Sequence, residues 1–146
     1  MKMAEWDTVP DDQTIVKTAE AVRGRGISVE IVDYRLQALD RVKEMIPKGA
    51  SVMTGSSTTL DQIGFTEHLR TSDHGWKDLH TAIREEKNEK KRQEMRRKSV
   101  TAEYFLGSVN AISRNGELVA CDRTGSRVGA YHYAARNLIL VAGAQK

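Results

Sequence analysis

The residues best suited to chemistry fall in two polar loops, Thr54-Gly55-Ser56-Ser57-Thr58-Thr59 and Asp122-Arg123-Thr124-Gly125-Ser126-Arg127. Each follows an apolar run and leads into a helical pattern. That order gathers backbone N–H groups and hydroxyls at helix starts, where unpaired donors and the helix dipole favour an anion. In the first loop the glycine permits a tight turn and the hydroxyl residues after it supply donors without bulk. A capped helix start with spare hydroxyls accounts for the same residues. The loop lacks the Gly-Lys-Ser/Thr ending of a nucleotide-binding P-loop.

In the second loop, Arg127 or Arg123 can clamp an anionic group through two parallel N–H donors. Asp122 is the best candidate for a general base, although a carboxyl with an ordinary pKa of about 4 needs elevation or close placement for that task. A turn held by ion pairs explains this loop equally well. Asn110 lies at the end of an expected strand, where ligands of parallel α/β sheets collect. Asn115 and Gly116 form a turn first and a pocket edge second.

Other side chains give weaker signals. Cys121 is the single cysteine, which excludes a disulfide framework or thiol-rich metal site and reads as a small buried filler. His68, His74 and His80 are spaced six apart, whereas a helical zinc motif needs i,i+4 with an acid between. We expect no metal and no cofactor. Trp76, Tyr131 and Tyr133 read as packing anchors. The segment 84–98 carries eight Lys/Arg against four Glu, a net +4 in a chain whose total is +3. Its cations spread around a helix and are interrupted by Glu89 and Glu94, which argues against nucleic acid and for a solvated or partner-docking face.

These loops need a scaffold. At 146 residues the chain is expected to be a single domain, 1–146, large enough for a core. The first seven residues, Met1–Asp7, lack a signal-peptide core, and no apolar run is long enough to span a membrane, so cytoplasmic residence is the default. Helical periodicity predicts helices from Asp11 to Arg25, with Asp11 or Asp12 as N-cap, and over Leu36–Ile46. Further helices are expected over Thr58–Leu69, over Trp76–Ala102 as one long helix or two joined ones, and over Ser126–Arg136. Strands are predicted at Ile27–Val32, Ala50–Met53, Tyr104–Val109 and Asn137–Ala142, and Ser72–Gly75 reads as a turn. Asn115-Gly116 between two alternating segments predicts a β-hairpin, both positions tolerating positive φ. The pattern is α/β: a mostly parallel sheet flanked by helices on both faces, with that hairpin appended.

The run Val52-Met53-Thr54-Gly55-Ser56-Ser57-Thr58-Thr59-Leu60-Asp61-Gln62-Ile63-Gly64 resembles the signature of the LUD domain family of lactate-utilisation proteins. So does the block from Phe105 through Asn115-Gly116 to Val119, continuing with Asp122–Val128. The resemblance implies the fold of ribose-5-phosphate isomerase, glucosamine-6-phosphate deaminase and the CoA transferases. In those enzymes a loop matching Thr54–Thr59 holds a phosphate or related group, and segments matching Asn115-Gly116 and Gly125-Ser126 line the substrate pocket. It also implies work beside iron–sulfur or oxidoreductase partners, and with one cysteine this chain cannot hold a cluster alone. Relatives continue past Leu138–Ala142 into a further helical segment, and its lack here leads us to expect an exposed sheet edge and a homo-oligomer. The resulting expectation is a small anionic metabolite bound at Thr54, Gly55, Ser56, Ser57, Thr58, Thr59, Asn110, Asn115, Gly125, Ser126 and Arg127. The competing expectation is a scaffold subunit acting through 84–98.

Overall fold

A computed structural model describes residues 8–71 and 73–146. The expectation for Met1–Asp7, and Ser72 of the expected turn, lie outside the described residues. Helix α1 (Asp12–Arg23) is capped by Asp11, whose carboxylate accepts from the Thr14 N–H at 2.8 Å. Helix α2 (Arg35–Met45) starts where the Gln37 side-chain oxygen accepts from the N–H groups of Asp33 and Tyr34 at 3.0 and 3.1 Å. Between these helices, Ile27–Val32 is no strand: it belongs to neither sheet. Its alternating pattern is real, but pairing requires a neighbouring edge, and no strand among the described residues lies beside it.

Strand β1 (Ser51–Thr54) leads into α3 (Thr58–Gln62) and α4 (Phe65–Thr71), two helices where one was expected because the chain breaks at Gly64. A two-residue strand, β2 (Lys77–Asp78), takes the start of the predicted long helix. The rest of that helix divides into α5 (Leu79–Glu85) and α6 (Glu89–Ser99). Asp78 caps the first of these and Asn88 the second, accepting from Thr81 N–H and Lys91 N–H at 3.0 Å each. Short polar side chains thus stop the helix and restart it.

Strand β3 (Tyr104–Gly107) is followed by the antiparallel hairpin β4 (Ala111–Ile112) and β5 (Leu118–Val119). In its turn only Gly116 has positive φ, 81°, whereas Asn115 does not. The Gly116 N–H donates to the Ser113 carbonyl at 2.9 Å, and a Cβ on Gly116 would collide with the backbone of Ala21 and Val22. The hairpin tip therefore packs on α1. Helix α7 (Ser126–Gly129) widens into a π-helical turn over Ala130–Ala134, so the expected helix to Arg136 is shorter and partly non-α. Strand β6 (Asn137–Leu140) closes the sheet.

The sheet is all parallel in the order β2-β1-β3-β6. Alternate residues of its central strands enter two cores. Val52, Leu106 and Ile139 pack with Val42 and Ile46 of α2 and its end, and with Leu60, Phe65 and Leu69 of α3 and α4. Met53 and Phe105 pack on the other face with Ile83, Ala102 and Ala130. Each fully buried aliphatic or aromatic side chain contributes about 1.5–3 kcal/mol through removal from water. The crossover from β1 to β2 runs over the first face. Those from β2 to β3 and from β3 to β6, travelling the opposite way, run over the second, as connections of one hand require. The expected α/β architecture, with helices on both faces, holds.

Candidate functional site

The connection leaving β1 turns towards β2, while the one leaving β3 turns towards β6. Their diverging C-terminal ends form a topological switch point, the place where open parallel sheets present a crevice. Residues Thr54–Thr59 rise from one side and Gly107–Asn110 from the other. The two sides touch through a buried hydroxyl pair, Thr59 Oγ1 and Ser108 Oγ, 3.2 Å apart.

Within the first loop the hydroxyls divide. Thr54, Ser57 and Thr59 are buried. Thr54 Oγ1 donates to the Gly55 carbonyl at 2.8 Å, and Ser57 caps α3 by accepting from the Leu60 N–H at 3.3 Å. Ser56 and Thr58 face solvent. The N–H groups of Ser56, Ser57 and Thr58 have no acceptor among the described residues. A capped helix start and open amides therefore coexist in this loop.

The second loop is organised from inside. Asp122 accepts from the N–H groups of Thr124 at 2.8 Å, Val128 at 2.8 Å, and Gly125. Burial pushes the Asp122 carboxyl up, but the Val128, Gly125 and Thr124 amides and the Arg127 guanidinium outweigh it and hold the group below the ordinary aspartate value. Its geometry is that of a loop organiser. Thr124 Oγ1 and Ser126 Oγ pair at 2.9 Å, while Arg123 is exposed.

Arg127 joins the two loops. Its Nη1 donates to the Ser56 carbonyl at 2.9 Å and its Nη2 to the Cys121 carbonyl at 2.6 Å. The Nε atom is buried with no partner among the described residues. Nor does any carboxylate there form an ion pair with this guanidinium. The stem crosses Gly55 so closely that a Cβ at that position would lie 3.0 Å from Arg127 Cδ. Asn110 supports the far anchor, its side-chain oxygen accepting from the Cys121 N–H at 3.0 Å. Cys121 itself is exposed, which corrects the expectation of a buried filler: the hairpin exit leaves no core beside it.

Tyr131 is the member that sequence reasoning missed. Its hydroxyl donates to the Ser108 carbonyl at 2.9 Å and occupies the space where a Cβ of Gly107 would stand. Burial raises the phenol above its ordinary value, partly offset by Arg127 and the Ser108 contact. A glycine at the end of a buried strand was the available signal, since it marks close approach of another group.

Thr54–Thr59, Asn110 and Arg127 thus meet around the switch point, whereas Gly125 and Ser126 bond within their own loop, to Asp122 and Thr124. Asn115 does not join them: its carbonyl accepts from Arg25 Nε at 3.0 Å at the end of α1. Two surface hollows also lie elsewhere. One of about 320 Å³ is lined by Ser51, Leu79, Ile83, Met95 and Lys98, and another of about 470 Å³ by residues 23 and 26–30. At the switch point the Arg127 side chain lies across the mouth over Gly55. His68, His74 and Trp76 instead form an aromatic cluster with ring centroids 4.8–5.9 Å apart. No group of three or more metal-ligating side chains occurs among the described residues. No helix among them is long and apolar enough to cross a membrane.

Neither the curated proteins nor the solved structures give a match to the chain. The LUD domain family matches residues 15–146, a span that includes both loops, the hairpin and all four parallel strands. On that match the chain belongs to the LUD domain family, the lactate-utilisation protein type.

Proposed function

We propose that the switch-point crevice binds a small anionic metabolite in support of lactate utilisation, on a scaffold of the ribose-5-phosphate isomerase and CoA transferase type. The carrying observation is Arg127: a guanidinium that among the described residues bonds to backbone carbonyls alone and leaves its buried Nε without a partner, poised between a loop of open amides and a loop fixed by Asp122. A carboxylate or phosphate is a stronger acceptor for that fork than two neutral carbonyls. On arrival it takes the guanidinium from the Ser56 carbonyl and receives the Ser56 and Thr58 amides and hydroxyls, while Asp122 keeps the Arg127 side in place. Strand order, with the reversal between β1 and β3, supports the scaffold assignment. Isothermal titration against lactate, sugar phosphates and CoA compounds tests the reading. Binding of one of these, weakened by Ser56→Ala and by Arg127→Leu, is the expected result; heat signals absent for every compound overturn it.

A second reading rests on α6. Lys91 pairs with Glu86 at 2.6 Å and Arg97 with Glu94 at 2.8 Å, while Lys90, Arg96 and Lys98 remain exposed without an ion pair among the described residues. We infer from this a docking face for an acidic partner, such as an iron–sulfur or oxidoreductase protein. Retention of such a partner on immobilised protein, abolished by reversing those three charges while ligand binding persists, separates this reading from the first.

A further inference from the structure

His74 stands between α4 and β2, half-buried, with both ring nitrogens engaged by backbone. Nδ1 lies 3.0 Å from the Trp76 amide nitrogen, and Nε2 lies 3.0 Å from the Leu69 carbonyl oxygen. The amide can only donate and the carbonyl can only accept. Nδ1 is therefore the bare nitrogen, Nε2 carries the hydrogen, and the ring is neutral. It ties the last turn of α4 to the residue that precedes β2. The same stretch is fastened to the connection between α2 and β1. Gly49 N–H donates to the Gly75 carbonyl at 2.7 Å, Trp76 Nε1 to the Ile46 carbonyl at 3.2 Å, and Lys77 N–H to the Ala50 carbonyl at 2.9 Å. The Trp76 ring packs on Phe65 of the first core, with centroids 6.1 Å apart.

We propose that His74 is an acid-released clasp: the neutral ring holds residues 74–78 closed against the sheet, and protonation opens them. An imidazolium carries a hydrogen on both nitrogens, so Nδ1 turns from acceptor to donor and faces the Trp76 N–H. The Trp76 ring, stacked on His74 at 4.8 Å, attracts a cation. Accepting that charge still requires the ring to give up its bond to the Trp76 amide. No counter-charge compensates. On α4, Glu67 and Arg70 pair with each other at 2.6 Å, and on α2 Lys43 pairs with Asp40 at 3.1 Å. His68 of α4 lies 5.9 Å away, ring to ring, and is held below its ordinary value by burial, then by Lys43 and His74. Lys48, in the connection after α2, runs its stem past Gly75. Asp73 and Lys77, on either side in the chain, are exposed. Among the described residues no carboxylate pairs with either imidazole. The stretch can move because β2 has two residues, stands at the sheet edge and pairs with β1 alone.

Heteronuclear NMR of the full chain, titrated from about pH 7.5 to about pH 5, reads the clasp directly. At the neutral end His74 is expected as the Nε2–H tautomer. On acidification the exchange protection of the Gly49, Trp76 and Lys77 amides is expected to fall about tenfold or more, in step with His74 protonation, while the β3 amides keep theirs. The open form takes up the proton, so protection is level above the histidine range and is lost below it. His74→Asn keeps an acceptor near the place of Nδ1 and does not titrate, and it is expected to stay closed throughout. His74→Phe keeps the stack without either backbone contact and is expected to leave those amides unprotected at both ends. His68→Asn is expected to preserve the acid response. An Nδ1–H tautomer overturns the proposal, as does His74 protonation that leaves the Trp76 amide protected. So does an acid response undiminished in His74→Asn or abolished in His68→Asn.

Discussion

The two glycine loops look alike in sequence but are held in different ways. Around Asp122 the amides of Thr124, Gly125 and Val128 all close on one carboxylate, which fixes the loop from within, while the amides of Arg123, Ser126 and Arg127 find no acceptor among the described residues. Around Gly55 the amides of Ser56, Ser57 and Thr58 find no acceptor among the described residues, and two hydroxyls face outward. A shared composition thus yields one rigid arm and one open receptor. Arg127 extends from the first over the second.

The comparison breaks most sharply at Arg127. Arg127→Leu removes the charged fork, and hydrogen bonds to charged groups contribute about 1.5–3 kcal/mol, so anion affinity is expected to fall roughly ten- to hundredfold by titration calorimetry. Arg127→Lys is expected to recover little of it, because an ammonium cannot reproduce the two-pronged geometry.

The arm responds differently. Asp122→Asn is expected to destabilise the fold by about 1–2 kcal/mol in denaturant titrations, since three N–H donors lose their anionic acceptor. Its pH dependence follows from the lowered Asp122 value. The folded state prefers the carboxylate, so the contribution is complete above the unfolded pKa of about 4 and disappears as pH falls through the lower folded value. The stability gap between wild type and Asp122→Asn is therefore expected to be constant near neutrality and to close in acid.

Smaller effects separate the serines of the receptor loop. Ser57→Ala removes the cap of α3 and is expected to cost about 1 kcal/mol of stability in thermal or denaturant melts. Ser56→Ala touches an exposed hydroxyl and is expected to change stability by less than about 0.5 kcal/mol while still weakening the ligand. Equal stability losses at the two serines would erase the distinction between capping and receiving hydroxyls.

Much of the scaffold was legible because burial writes itself into composition. Val52-Met53 and Phe105-Leu106 are apolar on both sides, as strands covered on two faces must be. The break at Asn88 was half visible, since the pattern allowed two joined helices, but Lys77-Asp78 as a strand was not, because two residues carry no periodicity. Ile27–Val32 shows the reverse error. Its alternation was real, and whether an alternating segment finds a neighbour is decided by tertiary placement. The loops were located correctly, and their division of labour was hidden, because it depends on which amides Asp122 reaches and on the path of one arginine. Asn115 illustrates the same limit: its turn was readable, and its position against α1 depends on the hairpin's docking through Gly116.

The π-helical turn at Ala130–Ala134 carries a consequence of its own. A turn closed by i→i+5 bonds holds one residue more than an α-helical turn, and here it ends the helix just before β6. Tyr131 reaches Ser108 from within that widened turn. Deleting a single residue there would restore ordinary winding, rotate the phenol away, and vacate the niche beside Gly107 without altering any loop. The crevice wall is thus tuned by a change of length, a handle that side-chain substitution cannot supply.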